Sequence, residues 1–332
     1  MIKLLVAGTV AYDSIETPFG KVENVLGGSA LHFTNAASFF TDVGIVATVG
    51  KDFELDQIGY LKERNVDMSG IQVDEGKTFR WEGRYGYDLN QAITLKTELN
   101  VIEAFKPSVP SDFKSSAFVF LANIDPELQS YVIDQVNSPE AIVLDTMNFW
   151  IENKRDELMK VIERVHMLVI NEAELREISR EHNLVKGARK ILELGPSCVV
   201  AKRGEYGVLM VSKDEIFLCP AFPLEDVFDP TGAGDTFAGG FMGYLANMAD
   251  TSVETVKQAI IMGSLMASFN VEDFSINRLK ALGYDEIKER HKSFKKCMIS
   301  GISQPWRRRG CSRAGMFYQD EQGVRLFPAN TL

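Results

Sequence analysis

Asp229-Pro230-Thr231-Gly232-Ala233-Gly234-Asp235-Thr236-Phe237-Ala238-Gly239-Gly240-Phe241 is the stretch on which the reading of this chain turns. Gly232, Ala233 and Gly234 are almost bare of side chain. After them Phe237, Phe241, Tyr244, Leu245 and Met248 recur at helical spacing, so a side-chain-poor turn runs into a helix that buries one face. The first N–H groups of a helix have no partner within it, and the aligned peptide dipoles make that end positive. Left uncovered at residues 232–234, those amides form a seat for an anion. Asp235 falls in the first turn, beside that seat. A carboxylate next to bare amides suits phosphoryl transfer to a hydroxyl: the acid takes the proton and the amides hold phosphate oxygens. The alternative is a glycine-rich helix start packed tightly against a strand.

Outward from this segment the chain alternates strand and helix patterns. Residues 2–8, 43–49, 117–122, 141–144, 167–170, 198–201 and 208–211 read as strands, and residues 29–40, 127–136, 153–164, 172–179 and 186–194 as helices. Such alternation predicts an α/β fold with a mainly parallel sheet covered by helices, binding ligands at the carboxyl ends of its strands. Residues 77–97 differ. Phe79, Trp81, Tyr85 and Tyr87 alternate with Arg80, Glu82, Arg84 and Asp88, the pattern of a half-buried strand; with residues 92–96 and 17–26 it predicts a small separate sheet. No G-x-x-x-x-G-K-[ST] loop is present, and the Gly-Ala-Gly here lacks the third glycine and preceding strand of a dinucleotide-binding turn.

The segment from Asp229 to Phe241 resembles the hallmark of the ribokinase-like (PfkB-type) family of sugar and nucleoside kinases, and the likeness runs over roughly residues 1–284. It implies a three-layer sandwich with a small β lid at about residues 17–26 and 77–97, ATP and Mg²⁺ as requirements, and a sugar or nucleoside as phosphoryl acceptor. Asp235 takes the family's place of catalytic base, and the amides of Gly232, Ala233 and Gly234 that of the anion hole. Asp13, after the first strand, matches a sugar-binding aspartate, although a turn role explains it too. Gly27 and Gly28 match the family's first motif, which continues into a helix with an early Asn. Here that position is His32, and Asn35 lies one helical turn later; either side chain reaches the acceptor. Arg80 and Trp81 on the lid are further acceptor candidates.

Asn171 and Glu174 match an N-x-x-E that organises Mg²⁺ and phosphate, often through water. The same spacing is a capping box, and the two roles are compatible. Lys202, Gly204 and Gly207 lie in a loop that the resemblance sets beside the nucleotide phosphates and ribose. Asp229 and Thr231 match positions that hold a monovalent cation, K⁺, in some relatives. Asp145 and Asn148 end a strand where the phosphate path would run.

The bulk properties agree. With 45% hydrophobic and 25% charged residues, the chain has the composition of a soluble globular protein rather than a disordered or membrane-spanning one. A net charge of −10 argues against a general nucleic-acid binder. The cysteines, Cys198, Cys219, Cys297 and Cys311, have no metal or redox spacing and suit a reducing cytoplasm. The charge is uneven: nine Lys or Arg against one Glu between Lys288 and Arg313 make a local +8, so the remainder carries −18. We therefore expect a kinase domain over residues 1–296, a basic tail over 297–332, and a homodimer through the lid as the partner arrangement the resemblance allows. Nucleoside kinases and non-catalytic binding proteins of the same fold are the competing readings.

Overall fold

The computed structural model describes residues 2–298 and two short strands, Gln319–Asp320 and Gly323–Val324, which pair antiparallel with each other. The expected basic tail otherwise lies outside the described residues. Thirteen strands precede that pair: β1 (Leu4–Ala7), β2 (Ala11–Thr17), β3 (Gly20–Gly27), β4 (Val43–Gly50), β5 (Val66–Asp74), β6 (Arg80–Tyr85), β7 (Ala92–Glu98), β8 (Phe118–Leu121), β9 (Ala141–Leu144), β10 (Met167–Asn171), β11 (Cys198–Lys202), β12 (Val208–Ser212) and β13 (Ile216–Cys219).

Nine of them form one sheet in the order β13-β12-β11-β10-β9-β8-β1-β4-β5. The seven strands from β11 to β5 run parallel, while β12 and β13 add an antiparallel edge. These strands are almost wholly apolar, as a sheet covered on both faces requires. Side chains alternate across a strand, so each strand feeds two cores: Leu4 and Val6 join one buried cluster, Leu5 and Ala7 the other. The first cluster packs under helices Ser29–Ala37, Ala233–Met248 and Val253–Asn270. The second packs under Pro126–Ile133, Arg155–Ile162, Glu172–Ser179 and Leu184–Leu192. This is the three-layer ribokinase-like α/β sandwich that the sequence predicts.

Helix Val253–Asn270 is absent from the sequence reading. It is buried almost all round, so it carries no amphipathic stripe to detect. The helix expected over 153–164 is two, Asn148–Asn153 and Arg155–Ile162. Lys154 breaks them apart with non-helical φ −137°, and its ammonium sits 2.7 Å from Asp125 Oδ2 and 2.9 Å from Glu127 Oε2.

The second sheet has the order β3-β2-β6-β7. Two antiparallel hairpins lie side by side, joined by the parallel pair β2–β6. Strand β2 was not expected; Asp13, expected as an acceptor ligand in the segment after the first strand, lies within it.

Candidate active site

Helix Ala233–Met248 starts where the sequence places it. Gly232, at φ 73° and ψ 2°, precedes it, and no side chain caps the first amides. That left-handed φ suits glycine. Residues 236–243 are all buried. A methyl group at Gly239 would overlap the Phe33 carbonyl, so helix Ser29–Ala37 lies at backbone distance and pins the catalytic helix in place. Asp235 stands in the first turn. Loss of hydration and the nearby Asp145 carboxylate raise its carboxyl to about 7, against the pull of Lys202.

Three parallel strands deliver groups to this helix start. Asp145 follows β9, Glu174 opens the helix after β10, and Lys202 ends β11. Lys202 Nζ is 3.1 Å from Asp145 Oδ2, and a methyl group at Gly234 would stand 3.1 Å from the same nitrogen. Desolvation works to neutralise Lys202, but Asp145, Glu174 and Asp235 outweigh it and hold the ammonium charged. Burial raises Glu174 to about 8, helped by Asp145 and opposed by Lys202 and the Asn171 N–H. Burial likewise raises Asp145, with Lys202 opposing. Three carboxyl groups about one ammonium, each raised by burial, are hard oxygen donors that a divalent cation would hold in the ionised form.

Asn171 and Glu174 form the capping box. Asn171 Oδ1 accepts from the backbone N–H groups of Ala173 and Glu174, both at 2.9 Å, and Glu174 Oε2 accepts from Asn171 N at 2.7 Å. Gly204 (φ 54°) and Gly207 (φ 82°) shape the loop after Lys202. A methyl group at Gly204 would overlap the Asn90 amide, so the tip of hairpin β6–β7 reaches this loop. Asp229 is fully buried, and its two oxygens accept from Thr231 N at 2.8 Å and Ser275 N at 3.0 Å.

Asp13 is 6% exposed, and a methyl group at Gly27 would overlap its carboxylate. Desolvation raises it to about 7, with Asp229 and Asp235 adding to the rise and the Gly28 N–H opposing it. It therefore lies close to the like charges of Asp229 and Asp235. Gly28 (φ 98°) precedes helix Ser29–Ala37. His32, one turn in, is buried against Gly232, where a methyl group would strike its ring.

Two candidates lie elsewhere. Asn35 is fully buried; its Nδ2 donates to Leu31 O at 3.0 Å and its Oδ1 accepts from the Tyr60 hydroxyl at 2.8 Å, so its amide is occupied in helix packing. In the parallel β2–β6 register Arg80 pairs with Tyr12, while Trp81 pairs with Asp13. Because sides alternate along a strand, Arg80 faces away from Asp13. It bridges to Asp52 at 2.8 Å, bonds Asn24 and lies over the Tyr12 ring. Phe33, on the same helix as Asn35, is fully buried and stacked on Phe120.

Tyr85 is the residue that sequence reasoning missed. It shares the Asp13 face of the second sheet, and its hydroxyl lies 3.2 Å from Thr231 Oγ1. Burial, with Asp229, Asp13 and Asp235 nearby, raises its phenol. Its alternation with Trp81 was the available signal, and it marked only a strand face.

The chain belongs to the PfkB family of carbohydrate kinases, whose family model matches residues 1–279. It is 31% identical to the cytidine kinase of Thermococcus kodakarensis over 248 residues, 73% of this chain and 88% of that protein. It is 24% identical to the inositol 3-kinase of Arabidopsis thaliana, over 90% of this chain and 82% of that one. The crystal structure of Methanocaldococcus jannaschii nucleoside kinase superposes with a TM-score of 0.70 at 19% identity, covering 88% of this chain and 99% of that one. Among the described residues no helix is long and apolar enough to cross a membrane.

Proposed function

We propose that the protein transfers the γ-phosphoryl group of ATP to a hydroxymethyl group of a sugar ring, and that the ring is the ribose of a nucleoside. The observation that carries phosphoryl transfer is Asp235 standing in the first turn of an uncapped helix, with Lys202 against the same turn. In this reading Asp13 accepts the ring hydroxyls and Asp235 removes the proton from the hydroxymethyl oxygen as it attacks. The amides of residues 232–234 and Lys202 hold the charge that develops on the transferring group. Asp145 and Glu174 supply hard oxygen donors that fit Mg²⁺, with Asn171 holding Glu174 in place. Mg²⁺, when bound, neutralises charge on the phosphate oxygens. The second sheet serves as the lid that excludes water, its Asn90 tip over the Gly204 loop and Tyr85 over Thr231.

A nucleoside is favoured over a free sugar because Trp81 lies beside Asp13 on the lid's inner face, where a flat base could stack. The likeness to a cytidine kinase supports the same choice. K⁺ is a poorer fit: Asp229 already holds two backbone amides and Thr231 is engaged by Tyr85, so no step is assigned to it. A lid homodimer stays within the proposal, since edge strand β7 exposes Ile93 and Leu95; a single monomeric species by light scattering would remove it.

The test is ADP release with ATP and Mg²⁺ across nucleosides, free sugars and inositol, with Asp235→Asn as control. One dominant nucleoside acceptor is expected. The variant should lose about 10²–10⁴-fold in kcat while ATP titration shows nearly unchanged affinity. A variant that keeps substantial turnover removes Asp235 as base; a free sugar or inositol as the best acceptor removes the nucleoside.

A further inference from the structure

We infer that His32 is a strut beneath the anion-hole turn and not a ligand of the acceptor, an inference that rests on reading residues 232–234 as that turn. His32 is 1% exposed. Its Nδ1 lies 3.0 Å from Oδ1 of Asn270, the last residue of helix Val253–Asn270. The Asn270 amide nitrogen donates to the Thr231 carbonyl at 2.8 Å, so its oxygen is the acceptor and Nδ1 of His32 carries the proton. The same oxygen accepts from Thr236 Oγ1 at 3.0 Å. Asn270 thus grips both sides of Gly232, Ala233 and Gly234, and His32 grips Asn270.

The ring also fills the space that Gly232 leaves, since any Cβ there would strike it. Its far nitrogen, Nε2, is buried with no hydrogen-bond partner. Burial keeps the ring neutral, its pKa pushed down to about 4 although the Asn270 bond opposes this. Its one donor and one flat face are therefore spent on the turn. A turn held this way keeps its amides fixed before any phosphate arrives, which is how such donors act at least reorganisation cost.

Two substitutions separate a strut from a ligand. His32→Asn keeps a donor near the Nδ1 position, whereas His32→Gln moves it toward Nε2. We expect His32→Gln to lower kcat about ten- to a hundredfold, by the same factor for every acceptor, with acceptor KM within about twofold. His32→Asn should recover most of the loss. A rise in KM confined to one acceptor, with kcat held, overturns the strut.

Ring ¹⁵N spectra of the unmodified protein need neither a stable variant nor turnover. They should show a neutral ring protonated at Nδ1 and unchanged by saturating cytidine. Protonation at Nε2, or an Nε2 signal that moves with cytidine, overturns the strut even if phosphoryl transfer stands. A wild type that phosphorylates no acceptor fails the phosphotransfer reading instead, and the spectra still decide the role of the ring.

Discussion

Helix Ala233–Met248 and strand β7 are opposite extremes of burial in this fold. The helix is buried without interruption over residues 236–243 and is pressed to backbone distance against its neighbour, while every residue of β7 from Ala92 to Thr97 is exposed. Around the helix start, charge is concentrated and buried: Asp145, Glu174 and Asp235 about one lysine. On the small sheet, single side chains placed by strand alternation carry the contacts: Tyr85 reaches Thr231, and Trp81 lies beside Asp13 in the register. On the proposed reading the difference divides the labour: the groups assigned to phosphate are held by the core, while the groups assigned to the acceptor stand on a thin, exposed sheet. Relatives that act on cytidine and on inositol are compatible with such a division.

The division breaks most visibly at Lys202. Lys202→Met leaves Asp145, Glu174 and Asp235 without their buried counter-charge and should cost about 3 kcal/mol or more in urea denaturation, with kcat down about 10²-fold. Unchanged stability would mean that the cluster is less desolvated than its geometry implies. On the lid, Trp81→Ala should raise nucleoside KM about tenfold, the scale of one base–aromatic stack, and leave stability near wild type. An equal loss for free sugars would place Trp81 in general packing.

A pH titration of the ligand-free protein compares the two sides directly. Asp13 and Asp235, one from each, are raised to about 7, above the ordinary aspartate value near 4. Between those values the folded state binds more protons than the unfolded chain, so these groups favour folding at low pH and lose that contribution as pH rises through 7. His32 runs the other way but only below its unfolded value of 6.5. Glu174, raised to about 8, acts in the same direction as the two aspartates, so from pH 8 down to about 6.5 stability should rise by about 3 kcal/mol, and Asp13→Asn should flatten part of the slope. A slope of opposite sign would remove the buried-carboxylate account. The smallest effect is expected at Arg80: facing away from Asp13, its replacement by Ala should change acceptor KM by less than about twofold.

Where the sequence was legible, the cause was local. Gly232, Ala233 and Gly234 ahead of a periodic apolar run reveal a turn and a helix by themselves, and the apolar strands announce a covered parallel sheet. The capping box of Asn171 and Glu174 was readable from spacing alone. Long-range partners were not. Asn270 carries no motif, and it sits at the end of a helix whose burial all round from Ala259 onward erases the usual stripe. Asp145 was noticed only for its place at a strand end, because the lysine that gives it meaning lies on β11. Arg80 and Trp81 were equivalent until the β2–β6 register put them on opposite faces. Asn35 was one helical turn from the expected position, but Tyr60, far along the chain, takes its amide.

The buried seating of helix Ala233–Met248 also sets two clocks. Exposing its amides to solvent requires opening the core, so their hydrogen exchange should follow global unfolding, whereas β7 can fray without disturbing a buried residue. In deuterated buffer β7 would label early and helix Ala233–Met248 last. On the proposed reading, substrates then come and go many times over while the turn assigned to phosphate never comes apart.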